Sequence, residues 1–239
     1  MSDSNDRGRS ALSLVGENTD VAFYTRQLAA VGQPVLLLGC ASGRLACELS
    51  AQRLSLVAVD PSPVMIAFAE ERRSREPSEN ARRLRFLCGD LRSLRLPDRF
   101  AAVIAPQNAF GLISSVDDLG AVIATAGHHL AREGSFLFDA INPARAAPGS
   151  ESSGEEERAA GSPSQRRAFS PHLREQRRGG LAPGSSIHRL RLRQFYPAEV
   201  DSALEEGGFV ATARYGSYDE KPFDPCDPIH IVVAAVGSR

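Results

Sequence analysis

Val35-Leu36-Leu37-Leu38-Gly39-Cys40-Ala41-Ser42-Gly43-Arg44, followed by Val57-Ala58-Val59-Asp60, decides the reading of this chain. Four consecutive apolar residues predict a strand covered on both faces, as in a parallel sheet. Small residues then form a tight turn that lets backbone N–H groups come close to a ligand, and a helix starts at Arg44. The second strand ends in an acid. A carboxylate in that place can accept hydrogen bonds from ribose hydroxyls, so the pair suits a nucleoside-bearing ligand.

Working outward, strands alternate with helices. Asp20 to Val31 reads as a helix, with Thr19 or Asp20 able to cap it and Val21, Tyr24, Leu28 and Val31 at helical spacing. Strands are predicted at Val35–Leu38, Leu54–Val59, Leu84–Cys88, Phe100–Ala105 and Ser135–Ala140. Helices are predicted from Arg44 to Gln52, from Asp60-Pro61-Ser62 to Arg75 and from Asp117 to Leu130, with Glu76–Arg82 as a charged connector. Pro197 opens a further helix that Gly207-Gly208 stops, and strands Phe209–Tyr215 and Ile229–Val236 follow, joined by a hairpin connection. This order argues for a doubly wound α/β sheet.

Residues 1–18 are polar and read as a disordered tail. The rest, 19–239, reads as one domain, with 144–196 as a partly disordered insertion rich in Gly, Ser, Pro, Glu and Arg up to Gly184. Ile187 to Tyr196 alternates arginine with aliphatic side chains and reads as a half-exposed strand.

The net charge of −1 supplies no global field toward nucleic acid or anionic lipid. No apolar run reaches the roughly 18–20 residues of a membrane span, and Met1 to Ser10 lacks the apolar core of a secretory signal. A cytoplasmic location is the expectation. The four cysteines, Cys40, Cys47, Cys88 and Cys226, show no CxxC spacing, which argues against a disulfide framework or a zinc site. Cys40 and Cys88 are expected as small buried residues. No metal is expected.

Five matches in order make the chain resemble the class I S-adenosylmethionine-dependent methyltransferases, in their small-molecule branch. They are Leu36–Arg44, with Ala41 where the family usually has Gly; Asp60; Cys88-Gly89-Asp90-Leu91; Ala105-Pro106-Gln107-Asn108-Ala109-Phe110; and His129-Leu130-Ala131-Arg132-Glu133-Gly134. The resemblance implies a mostly parallel seven-stranded sheet with an antiparallel last strand and a small lid. It implies S-adenosyl-L-methionine as cofactor. Tyr24, Gly39, Ala41, Gly43, Asp60, Pro61, Met65, Asp90, Leu91 and Pro106 would bind it. By the same resemblance Asp60 would hold the ribose, Met65 would lie on the adenine face and Asp90 would meet the adenine amino group. Asp60 also reads as a helix N-cap, and Met65 as a core residue.

Ala41 is tolerated if its backbone is extended or helical, and strained by roughly 1–2 kcal/mol if φ is positive. Asn108, Phe110 and Asn142 are expected to face a small-molecule acceptor, and Asp139 is the candidate general base. His128 and His129 stand at the wrong end of the sheet for catalysis. The Asn/Asp-Pro-Pro-Tyr/Phe signature of nucleic-acid amino methylases is missing. Methyl transfer to N or O of a small molecule, by a monomer or homodimer, is therefore the expectation. A catalytically silent cofactor-binding partner and a nicotinamide oxidoreductase are the alternatives; the latter does not predict Cys88–Leu91 or His129–Gly134.

Overall fold

The computed structural model describes residues 19–143 and 193–237. Helix α1 (Thr19–Val31) leads into β1 (Val35–Leu38), and α2 (Arg44–Ala51) follows. Then come β2 (Leu56–Asp60), α3 (Pro63–Arg73), the short α4 (Ser78–Arg82), β3 (Leu84–Cys88) and β4 (Phe100–Ala105). A 3₁₀ turn (Ala109–Leu112) precedes α5 (Val116–His129) and β5 (Leu130–Ile141). After 144–192 the chain continues as α6 (Pro197–Glu206), β6 (Phe209–Tyr215) and β7 (Ile229–Val236).

The seven strands lie in the order β3-β2-β1-β4-β5-β7-β6. β7 runs antiparallel to both its neighbours, β5 and β6, and the other pairings are parallel. The sheet is doubly wound, as the alternation predicts. All four residues of β1 are buried. Val35 and Leu37 face the core shared with α1 and α2, while Leu36 and Leu38 face the core shared with α5 and α6. Strand alternation thus explains the uninterrupted apolar run. The strand order reverses between β1 and β4, so the crevice beyond their carboxyl ends is the place for a ligand.

Boundaries of β1, β3, β4, β6 and β7 fall where the sequence puts them. β5 starts five residues earlier than the predicted Ser135. Leu130 already pairs with Phe100, and a bulge separates that pair from Ala102 opposite Ser135. Gly134 permits the bulge, since a Cβ there would lie 2.8 Å from the Leu130 side chain and 3.0 Å from the Ala101 carbonyl oxygen. The charged connector contains α4. Arg193–Tyr196 is irregular rather than a strand, with the Arg193 N–H bonded to the Gly111 carbonyl at 2.9 Å. The predicted tail 1–18, most of the insertion 144–196 and the remainder of the half-exposed strand (187–192) lie outside the described residues.

A polar cluster fastens β6, β7 and α6 together. His230 is 1% exposed, and its Nε2 lies 2.8 Å from Arg214 Nη1. Arg214 also donates to Asp201 at 2.6 Å, and Phe223 stacks on the imidazole at 4.6 Å between centroids. Among the described residues no helix is long and apolar enough to cross a membrane, and no cluster of His, Cys, Asp and Glu forms a metal site.

Candidate active site

The turn after β1 is built by two hydrogen bonds to one oxygen: Gly39 and Cys40 donate to the Val59 carbonyl at 2.8 and 3.0 Å. This ties the turn to the end of β2. Gly39 has φ +80°, and a Cβ on it would lie 2.9 Å from Ala109 Cβ. The first turn therefore touches the segment after β4, and only glycine fits at the contact. The next link is made by Asp60, the last residue of β2. Its Oδ2 accepts the Ala41 N–H at 2.8 Å, and its Oδ1 accepts the Ser62 N–H at 2.9 Å. The side chain is 3% exposed. Its carboxylate faces the turn and binds it. Two bonds leave further lone pairs on both oxygens, so ribose hydroxyls can still be accommodated. The N-cap of α3 is Ser62, whose Oγ accepts from Met65 N at 3.4 Å, and not Asp60.

A second knot forms at the end of β5. Phe136 and Phe138 face the α5 side, so Asp139 faces the α1 side with Leu137. It is 3% exposed. Its Oδ2 accepts the Tyr24 hydroxyl at 2.8 Å and the Gln107 N–H at 2.9 Å; its Oδ1 accepts the Asn108 N–H at 2.8 Å. The buried Tyr218, from the β6–β7 connection, is close enough for its hydroxyl to favour the charged carboxylate. Burial pushes the Asp139 carboxyl up, against the pull of these donors, and pushes the Tyr24 phenol well above its ordinary value. Gln107 then reaches α1: its Nε2 donates to Asp20 Oδ2 at 3.2 Å. The same oxygen is the partner of Arg44, the first residue of α2. Asp20 is fully buried.

A family model described as a methyltransferase domain matches residues 35–134. Those residues hold β1 through the end of α5, the whole first knot, and Arg44, Gln107 and Asn108 of the second. Over those residues the chain matches a methyltransferase domain, and its sheet has the fold of solved methyltransferases. The chain is similar to the CcbJ methyltransferase from Streptomyces caelestis, with 21% identity and a TM-score of 0.72 over 97% of this chain and 100% of that one. It is similar to a glycopeptide N-methyltransferase, MtfA, complexed with S-adenosyl-L-methionine: 19% identity, TM-score 0.66, 92% of this chain and 93% of the other. An S-adenosylmethionine-dependent methyltransferase from Clostridium acetobutylicum has 18% identity and a TM-score of 0.69, covering 94% of this chain and 93% of its own. At these identities the likeness is one of fold. No curated protein matches the chain in sequence.

Within this fold, the sequence-predicted residues divide by what they touch. Gly39, Ala41, Gly43, Asp60, Pro61 and Met65 stand together at the carboxyl ends of β1 and β2. Ala41 has φ +46°, the strained alternative. Asp90 is exposed and engages Arg92, which donates Nε to Oδ1 at 3.0 Å, Nη2 to Oδ2 at 2.7 Å and its backbone N–H to Oδ1 at 2.9 Å. These bonds hold the Asp90 carboxyl down at about 2. Leu91 is buried beside it, and Pro106 is buried at the end of β4.

Three expectations change. Phe110 does not face an acceptor: its ring is 1% exposed and packs 4.8 Å from that of Phe138, because the 3₁₀ turn rolls it into the core. Asn142 is turned to the β6–β7 connection, donating to the Pro225 and Asp227 carbonyls at 2.8 and 2.9 Å. Cys88 is exposed rather than buried. Asn108 stays at the site, but its Oδ1 accepts the Ile141 N–H at 3.1 Å. Cys40 is buried as expected, and burial raises its thiol pKa. His129 is structural, with Thr125 O and Leu96 N at 2.8 and 2.9 Å from its ring nitrogens.

Sequence reasoning missed Asp20 as more than a cap, and missed Gln107 and Tyr218. A signal for Asp20 exists: it stands four residues before Tyr24, so both side chains share one helix face. For Tyr218 the signal is the run Tyr215-Gly216-Ser217-Tyr218 to Pro222-Phe223-Asp224, which resembles the small-molecule branch but assigns the tyrosine no role.

Proposed function

We propose that this chain is a methyltransferase that uses S-adenosyl-L-methionine to methylate nitrogen or oxygen on a small-molecule acceptor. The observation that carries the reading is the Asp60 carboxylate bonded to the Ala41 N–H of the first turn. It joins a strand-end acid to a turn that only Cβ-free residues can make at Gly39 and Gly43, which is a cradle for a ribose and its neighbouring groups. Asp60 would take the ribose hydroxyls, Met65 and Leu91 would flank the adenine, and Asp90 would share its oxygens between Arg92 and the adenine amino group. Buried Asp20, Asp60 and Asp139 make this edge of the sheet anionic, which favours a cationic sulfur.

When bound, the cofactor supplies a methyl group already activated by positive sulfur. The work left to the chain is alignment and exclusion of water. Tyr24, Gln107 and Asn108 are fixed by Asp139 around the carboxyl ends of β4 and β5. They would shape the space where an acceptor lone pair meets the methyl carbon. Asp139 is engaged by three hydrogen bonds at 2.8–2.9 Å, which suits holding this wall in place better than taking up an acceptor proton. The acceptor is read as a small molecule because the chain supplies no basic field and no nucleic-acid methylase signature.

Isothermal titration with S-adenosylhomocysteine tests the reading. The protein should bind it, and Asp60→Ala should weaken binding by about 10–100-fold, the value of one or two hydrogen bonds to a charged group. Absence of binding to the unsubstituted protein would remove the proposal. Release of S-adenosylhomocysteine on a panel of small amines and alcohols separates an enzyme from a silent binder.

A further inference from the structure

Gln107 and Asn108 are consecutive non-glycine residues at φ +57° and +56°. A left-handed pair is unfavourable for such residues. It also points successive N–H groups the same way, as in the first turn of a helix, so that one carboxylate can accept both. Here both N–H groups end on the two oxygens of Asp139. The turn directly beyond them carries Ala109, whose Cβ leaves no room for a methyl group on Gly39. Gln107 continues the link through Asp20 to Arg44.

We propose that Asp139 is a built-in anion that accepts both N–H groups of the left-handed Gln107–Asn108 turn and thereby positions the far wall of the cofactor turn, acting as a positioning residue rather than a proton acceptor. The inference deepens the proposed function and rests on it. With the anion in place, two strained residues are held by two charge-assisted bonds. Without it, Gln107 and Asn108 relax toward ordinary backbone, Ala109 moves, and the turn at Gly39 loses the surface it leans on. Tyr24 and Tyr218 bring α1 and the β6–β7 connection to the same carboxylate.

The test uses S-adenosylhomocysteine titration of the full chain together with amide hydrogen exchange. Asp139→Asn keeps the shape but offers one accepting oxygen, and its NH₂ opposes an N–H donor. Binding should weaken about tenfold or more. Exchange should accelerate at residues 107–109 while β1 and β4 stay protected. Asp139→Ala should weaken binding similarly, and millimolar formate, a small carboxylate, should restore it to within about threefold. A merely structural role would give neither confined exchange nor rescue by formate.

A folded Asp139→Asn with unchanged affinity would overturn the inference while leaving the cofactor reading intact. Failure of Asp139→Asn to fold, and of Asp139→Ala to fold in formate, would also overturn it, placing the residue in fold stability instead. Failure of the unsubstituted protein to bind S-adenosylhomocysteine would remove the cofactor reading first, and this inference with it.

Discussion

Ala41 carries a methyl group in a conformation that glycine adopts freely, φ +46°. The left-handed region costs an L-residue roughly 1–2 kcal/mol. Glycine gives back about 0.5–1 kcal/mol through the greater freedom of its unfolded chain. Ala41 is exposed, so burial of its methyl group offsets little of the strain. Ala41→Gly should therefore stabilise the protein by up to about 1 kcal/mol, seen as a higher urea midpoint at unchanged slope. An equal or lower midpoint would contradict the strain. The place of Asp60 at the end of β2 was readable in the sequence, because an acid closing an apolar run marks the strand's end. The φ of Ala41 was not, because it is set by the Asp60 carboxylate across the turn. Phe110 and Asn142 misled for the same kind of reason. The direction a loop side chain faces is decided by a 3₁₀ turn and by carbonyls in the β6–β7 connection, more than 80 residues away for Asn142.

Helix α2 starts on Gly43, where φ is +77°. A Cβ there would stand 2.9 Å from Ala69 Cβ on α3 and 3.0 Å from Phe86 Cζ on β3. One glycine thus fixes how close α2 comes to two other elements. Gly43→Ala adds about 1–2 kcal/mol of backbone strain and about 1–3 kcal/mol of overpacking. A loss of about 2–5 kcal/mol in urea unfolding is expected, and a loss below about 1 kcal/mol would show that α2 can tilt away freely. At this scale the sequence was most legible where elements are hard-bounded. Pro34 precedes β1, Pro106 ends β4, and Gly207-Gly208 precedes β6, and all three strands fall where predicted. β5 was misplaced because its first residue pairs across a bulge, a feature of the partner strand as much as of its own residues.

The molecule as a whole should lose stability in mild acid through His230. Burial, with the Arg214 guanidinium beside it, holds this imidazole down at about 4 against 6.5 for a free one. The folded protein keeps it neutral, while the unfolded chain takes up a proton below about pH 6.5. The stability tied to the neutral ring is complete above pH 6.5 and disappears as pH falls toward 4. At pH 5 the loss reaches ~2 kcal/mol. His230→Gln retains an acceptor for Arg214 and should flatten this part of the slope between pH 7 and 5. An unaltered slope would place the acid sensitivity elsewhere. The doubly wound order was legible from the alternation of elements, whereas the place of His230 beside Arg214 and Asp201 depends on which edge of the sheet β7 joins. That placement has a consequence for synthesis. β7 is translated after β6 yet lies between β6 and β5. While a ribosome is still making the preceding residues, β5 has a bare edge and β6 has no neighbour at all. A nascent chain halted before Ile229 would expose that edge, with Phe136 and Phe138 on its strand, to other polypeptides, so chaperone capture of stalled chains should drop sharply once Val236 has cleared the exit tunnel.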